Sequence, residues 1–309
     1  MSTPRLAGFS MPAEWAPHDR CWMAWPCRES LWGDRLDAAR SAYAAVAQAI
    51  AEFEPVTMVC NAADVAEASL ACGRGVEIIS LPVDDSWMRD TGPSFVTDGR
   101  GGLAGVDWRF NGWGGIYPGF DQDAELAARL LDHLKLQRFA APIVLEGGAI
   151  AVDGEGTVLV TEQCLLDPNR NPGLTRSEME KNLADYLGAR TVIWLDRGYE
   201  DDETNGHIDE IACFAGPGLV LACATADEGD ANFPVFRDNI ERLRASTDAA
   251  GRALEIVELP VPRRREGADG KRLTLSYANF YIANGGVVAP SFEDPEDDRA
   301  FRILREAFA

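Results

Sequence analysis

Gly206-His207-Ile208-Asp209 follows an acidic approach, Glu203-Thr204-Asn205, and leads straight into the apolar segment Ile211-Ala212-Cys213-Phe214. If the run is extended, the period of two puts His207 and Asp209 on one face, where an imidazole and a carboxylate can address the same small molecule. A polar patch at the start of a strand is the plainer reading. Three further polar clusters stand where strands should end. Asp84-Asp85-Ser86-Trp87-Met88-Arg89-Asp90-Thr91-Gly92-Pro93 gathers carboxylates, a Trp and an Arg in a turn closed by Gly-Pro. Glu146 ends the apolar run Pro142-Ile143-Val144-Leu145 and is followed by Gly147-Gly148, which presents a carboxylate with no side chains beside it. Arg109-Phe110-Asn111-Gly112-Trp113-Gly114-Gly115 is a loop rich in glycine and aromatic residues. Taken singly each has a structural alternative: Asp90 as a turn former with Arg89 as its ion-pair partner, Glu146 as a cap, the glycine-rich loop as a connection.

Together the clusters describe a site for a planar cation. A guanidinium presents its donors in a rigid fork, and Asp90 and Asp209 can each take one edge of it. Trp87 can cover its face. A histidine hydrogen-bonded to a carboxylate, such as His207 to Glu146, has the raised proton affinity and fixed tautomer that acid/base work requires.

The elements that must position these residues follow a recurring grammar. The opening third reads strand, helix, strand, helix, strand: Arg20–Trp25, a helix over 36–53, Val56–Cys60, a helix over 63–72 capped by Asn61 and ended by Gly73, and Val76–Leu81. Further helices over 123–136, 177–187 and 235–250 each lead to a strand, at 143–145, 191–194 and 255–257. Thr175-Arg176-Ser177-Glu178 is a capping box for the second of them. Short strands at 94–97, 103–108, 149–152, 157–161, 219–222, 277–282 and 287–289 fill the gaps, so the fold class is α/β with a repeated mixed unit. A last helix over 296–308 has no strand after it.

At 309 residues the chain can bury a large core, and 46% hydrophobic with 26% charged residues is the composition of a soluble globular protein. A net charge of −21 argues against a nucleic-acid partner; steering of a cationic substrate is one reading of it, and solubility alone is the other. The N-terminus lacks the apolar core of a signal peptide and no stretch approaches the ~20 apolar residues of a membrane span, so a cytoplasmic location is expected. The seven cysteines include no C-x-x-C pair, and the three histidines are too scattered for a local zinc site. Asp167, Asn169, Asn171 and Glu178 fall on calcium-loop positions, but Pro172 stands where the loop's sharp turn calls for glycine, so a structural turn is expected there.

Four motifs in order, Trp87-Met88-Arg89-Asp90-x-Gly92-Pro93, Leu145-Glu146-Gly147-Gly148, Asp167-Pro168-Asn169-Arg170-Asn171-Pro172 and Gly206-His207-Ile208-Asp209, carry a resemblance to the agmatine deiminase family of the guanidino-group modifying superfamily. The resemblance covers essentially the whole chain. It implies one catalytic domain over 1–309, a fivefold pseudosymmetric α/β propeller (pentein) around an acidic pocket, with its last repeat incomplete. It further implies that Asp90 and Asp209 grip the guanidinium, Trp87 lines the pocket, His207 is the acid/base with Glu146 as partner, and Glu203 lies near the substrate's distal amine. No metal or organic cofactor is implied; the substrate would be agmatine, and a homo-oligomer is possible. The chain departs from the family in lacking its C-terminal Gly-Gly-Gly-x-x-His-Cys segment, whose cysteine is the nucleophile. Cys213, six residues beyond His207, would lie about 20 Å away along an extended run. The expectation is therefore a nucleophile outside these 309 residues. Asn205 stands where an acidic residue is commoner. A peptidyl-arginine deiminase and a non-catalytic guanidinium or polyamine binder are the competing readings.

Overall fold

The computed structural model describes residues 2–267 and 270–309. The first sheet is all parallel, β1 (Cys21–Ala24), β2 (Val56–Cys60) and β3 (Val76–Ser80), connected by helices α1 (Leu36–Ile50) and α2 (Val65–Cys72). Every residue of β2 is buried, as the central strand of a helix-covered parallel sheet requires.

The next three repeats use another unit, an antiparallel hairpin, a helix, and a third strand parallel to the second. β4 (Ser94–Thr97) and β5 (Leu103–Arg109) lead through α3 (Leu126–Leu134) to β6 (Gln137–Val144). β7 (Ala151–Val152) and β8 (Thr157–Thr161) lead through α4 (Arg176–Leu187) to β9 (Thr191–Leu195). β10 (Ala212–Gly216) and β11 (Leu219–Ala224) lead through α5 (Asn232–Arg244) to β12 (Glu255–Pro260). The fifth sheet has two strands, β13 (Tyr281–Ala283) and β14 (Gly286–Val288), and α6 (Asp297–Ala307) follows it. A parallel return needs a crossover of a dozen or more residues, which is why each third strand comes after a helix.

Neighbouring sheets share their cores. On β8, Val158 and Val160 pack with Val106, Phe139 and Met179, whereas Leu159 joins Phe214, Val220 and Leu221. The strand's period of two thus divides one strand between two cores. Tyr281 and Val288 of the fifth sheet pack against the cluster of Val56 and Met58 in the first. The Glu54 carboxylate reinforces that contact by accepting from the Tyr281 hydroxyl at 2.6 Å and the Asn284 amide at 2.8 Å.

Several sequence expectations shift at their edges. Asn61 does not cap α2; its side-chain amide pairs with the N–H and C=O of Val83, extending the sheet edge instead. α5 stops at Arg244, because Asp248 turns the chain by accepting from the amides of Ala250 and Arg252. β13 begins at Tyr281, not at 277. The capping box forms as expected: Thr175 and Glu178 exchange hydrogen bonds, and Gly188, at φ 80°, closes the other end of α4. Thr175→Ala is expected to lower the unfolding free energy by about 1 kcal/mol. A urea titration would show this as a lower midpoint at unchanged slope, and an unmoved midpoint would remove the cap from the account.

The functional motifs occupy equivalent places in successive repeats. Each lies on the connection that leaves the third strand of one sheet and enters the next: 81–93 after β3, 145–150 after β6 and 196–211 after β9. No helix among the described residues is long and apolar enough to cross a membrane.

Candidate active site

Asp90 sits in the short helical turn Met88–Thr91 that opens after β3. Two carboxylates of the same connection are structural: Asp85 accepts from the indoles of both Trp32 and Trp87 at 3.0 Å, and the Asp84 carboxylate accepts from the Gln122 backbone amide while the Asp84 backbone amide donates to the Asp123 carboxylate. These contacts fix the turn so that Asp90 points inward, where Oδ1 accepts from the Gly148 amide and Oδ2 from the Trp113 indole, both at 2.9 Å. Arg89 does not pair with Asp90 as its plainer reading supposed. Its guanidinium points the other way, to Glu14 at 2.6 Å and to the Ile150 carbonyl.

Gly148 forms the floor of the site. A Cβ on it would lie 2.5 Å from His207 Nδ1 and 2.7 Å from both Asp209 Oδ2 and Asp90 Oδ1. Gly147 is as tightly enclosed, since a Cβ there would meet the Arg89 carbonyl oxygen at 1.9 Å. The Gly-Gly pair is thus a requirement of close approach, which gives the Leu145-Glu146-Gly147-Gly148 motif its physical reason.

The His207 segment is not extended. Gly206 has φ 98°, Ile208–Glu210 form a 3-10 turn, and β10 starts only at Ala212. The period-of-two argument therefore fails, and with it the straight-line separation of His207 from Cys213. The turn nevertheless brings the expected pair together: His207 Nδ1 is 3.8 Å from Asp90 Oδ1 and 3.9 Å from Asp209 Oδ1. Asp202 sets this turn by accepting from the amides of Thr204, Gly206 and His207.

On the opposite edge of the ring, His207 Nε2 is 3.6 Å from Glu146 Oε2. That is an ion-pair distance and not the hydrogen bond expected from sequence. Both Glu146 oxygens instead accept from Arg170 Nε at 3.0 Å. One ligand atom each from Glu146, Cys164 and His207 lie within 4.8 Å of one another. Such a trio has metal-ligand chemistry, but a cation there would displace the guanidinium that Glu146 already holds.

Burial alone would lower the proton affinity of His207, but the charge of Asp90 and the contacts with Cys164 and Glu146 outweigh it and raise its pKa well above the ordinary value. Burial raises Glu146 as well, yet His207 and Arg170 hold it below the usual carboxylate range. Asp209 is pushed up to about 7, mainly by burial, with His207 and Arg89 opposing. Its Oδ1 and His207 Nε2 are buried with no hydrogen-bond partner among the described residues. A protonated imidazole flanked by carboxylates, one of them short of donors, is chemistry suited to a donor-rich cation.

Sequence reasoning missed Trp113 and Arg170 as site residues. Trp113 is held at φ 55°, ψ 50°, an unfavourable left-handed conformation for a bulky residue that costs on the order of 1–3 kcal/mol. Its ring meets Phe110, Tyr117 and Trp87 edge-on, and its indole donates to Asp90. The glycines around it, with φ from 68° to 82°, were the available signal. Trp87 lies one ring back, stacked on Trp32 at 6.0 Å. Glu203 is exposed and accepts from the Tyr117 hydroxyl at 2.6 Å, so the aromatic loop and the His207 loop meet over the site.

Comparison with known proteins agrees with this geometry. The family of Porphyromonas-type peptidyl-arginine deiminases matches residues 10–309. The chain is 45% identical to an agmatine deiminase of Stutzerimonas stutzeri, over 99% of this chain and 90% of the relative. It is 43% identical to the agmatine deiminase of Pseudomonas aeruginosa strain LESB58, again over 99% and 90%. Among solved structures, the agmatine deiminase of Enterococcus faecalis superposes with a TM-score of 0.96 at 36% identity, over 100% of this chain and 90% of that one. With the motifs, their placement and these likenesses in agreement, the chain belongs to the Porphyromonas-type peptidyl-arginine deiminase family and is similar to its agmatine deiminases.

Proposed function

We propose that this protein hydrolyses agmatine to N-carbamoylputrescine and ammonia. The observation that carries the reading is the convergence of Asp90 and Asp209 on one edge of His207, across a floor that only Gly148 leaves open. The two carboxylates take the edges of the guanidinium, Trp113 and Trp87 line the approach, and Glu203 receives the distal ammonium. We read the repeats as closing into a fivefold α/β propeller, whose fifth sheet has two strands among the described residues where the others have three.

In the first half-reaction a cysteine thiolate, the residue to be identified by adduct mapping, adds to the guanidinium carbon, and His207 gives its Nδ1 proton to the departing ammonia, leaving a cationic amidino-thioester. In the second, neutral His207 takes one proton from water as it adds to the same carbon, the C–S bond breaks with its electron pair returning to the thiolate, and the remaining hydroxyl proton passes to solvent as the neutral urea group of N-carbamoylputrescine forms. Asp90 and Asp209 hold the positive charge throughout. Net charge of −21 supports attraction of a small cation over a nucleic-acid partner, and we read the protein as cytoplasmic.

Cys164 is not placed to supply that thiolate. It is fully buried in the cluster with Glu146 and His207, whereas the cation is held by Asp90 and Asp209. Burial also raises its pKa, which keeps it a thiol. Cys164→Ala is therefore expected to retain turnover. The test is incubation of the protein with agmatine, assay of ammonia and N-carbamoylputrescine in equal amounts, and acid quenching followed by peptide mapping of the amidino adduct. An adduct on Cys164 would overturn the geometric argument. Agmatine bound with neither ammonia nor adduct would make the protein a guanidinium binder.

A further inference from the structure

We propose that Arg170 is a positioning residue of the reaction, holding Glu146 and the His207 loop in one arrangement through the hub formed by Asp167-Pro168-Asn169-Arg170-Asn171. The proposal rests on the deiminase reading of the site. The hub lies in the connection between β8 and α4, so it belongs to none of the three segments that carry the site residues. Yet it fastens the Glu146 connection, the His207 loop and the aromatic loop of Trp113.

Arg170 is 1% exposed, and each face of its fork is used. Nε donates to both oxygens of Glu146 at 3.0 Å, Nη1 donates to Asp167 at 3.2 Å, and Nη2 donates to the Thr204 carbonyl at 2.5 Å. Thr204 is three residues before His207, so one guanidinium fixes both the carboxylate behind the imidazole and the loop that delivers it. Asp167 repeats the connection by accepting from the Asn205 side-chain Nδ2 at 2.9 Å. Asn171 clamps Val144, donating to its carbonyl and accepting from its amide, two residues before Glu146. The Asn169 carbonyl accepts from Asn111, two residues before Trp113.

A side chain that merely filled space would not need this donor pattern. Three differently directed partners match the planar guanidinium and cannot be met by an ammonium, so lysine retains the charge and loses the geometry. Glutamine loses both. The two substitutions therefore separate electrostatic from positional effects.

The charged and titratable groups facing His207 are Asp90 and Asp209 at Nδ1, Glu146 at Nε2 and the nearby Cys164, with Asp202 and Glu210 on its own segment and Arg89 beside Asp209. Removing the positive charge of Arg170 raises the proton affinity of the Glu146–His207 pair, because each proton then joins a less positive cluster.

The test uses Arg170→Lys and Arg170→Gln beside the wild type, with folding checked by near-UV circular dichroism. His207 is titrated by NMR, which is tractable because the sequence has three histidines and His207→Gln identifies the signal. Expected are a kcat lowered by about 10²-fold in Arg170→Lys with KM little changed, since a displaced catalytic group of this kind costs on that order. The His207 titration should stay in place in Arg170→Lys and move upward in Arg170→Gln. A folded Arg170→Lys with wild-type kcat overturns the positioning role, and so does an unmoved His207 titration in Arg170→Gln. Should Arg170→Gln fail to fold, Arg170→Lys alone decides. Absence of ammonia release by the wild type would instead count against the deiminase reading, while the titration still tests the hub.

Discussion

His207→Gln is expected to lower the turnover of agmatine by roughly 10²–10⁴-fold, the range that a positioned acid/base commands. Glutamine keeps much of the shape and hydrogen-bonding capacity of the imidazole but cannot carry a proton between ammonia and water. Binding should survive, because the cation is held by Asp90 and Asp209. The pH dependence gives the sharper reading. Asp209, pushed up to about 7, must be ionised to grip a guanidinium, so kcat/KM of the wild type should fall as pH drops through neutrality. The raised pKa of His207 means that its acid form is lost only as pH climbs through that higher value, which sets the alkaline limb of kcat. In His207→Gln the alkaline limb should vanish, and the acid limb should move upward because the imidazolium no longer lowers Asp209. The same shift has a stability consequence. A proton affinity higher in the folded than the unfolded state stabilises the protein fully below the unfolded value near 6.5, and that contribution fades as pH rises through the folded value. Steady-state rates from pH 5 to 10, with agmatine affinity by calorimetry, check each part. A near-wild-type rate in His207→Gln would remove it from the acid/base role.

Gly148→Ala is expected to cost about 10²-fold or more in turnover, because misplacement of reacting groups by an ångström has that effect. The methyl would enter the space shared by His207 Nδ1, Asp209 Oδ2 and Asp90 Oδ1, each less than 3 Å from its position. It would also crowd the amide that donates to Asp90. Gly148 does not occupy the left-handed region, so the backbone itself tolerates alanine and the damage is steric. The three groups lie at the ends of side chains, and a spread of this kind costs about 1–3 kcal/mol of stability. Gly147→Ala makes the contrast, since its methyl would strike the Arg89 backbone carbonyl, which cannot give way. Thermal unfolding with turnover assays should find Gly148→Ala folded and nearly inactive and Gly147→Ala chiefly unstable. Full turnover in Gly148→Ala would mean that the three groups separate freely, and the close-packed floor would have no catalytic meaning.

Much of the framework was legible in the chain. Strands 56–60, 94–97 and 157–161 and the capping box at Thr175 and Glu178 are where propensity and pattern put them, because each depends on local backbone chemistry and on burial with a regular period. Asp90, Glu146, His207 and Asp209 also converge as read from their motifs. The details of their contacts were not legible. Arg89 is drawn away by Glu14, 75 residues earlier, and Asn61 by Val83, 22 residues later. No local spacing announces either partner.

By itself, then, the sequence determined the repeated β and α segments, the acidic and aromatic character of the clusters, and the glycines that permit close approach. The tertiary structure alone decided that the connections after β3, β6 and β9 meet, that Trp113 and not Trp87 binds Asp90, and that Arg170 stands behind Glu146. The physical reason is separation along the chain. Elements form from contacts a few residues apart, whereas Asp90, Glu146 and His207 lie on three repeats, and only the packing of one sheet's core against the next brings the two carboxylates within 4 Å of the His207 imidazole.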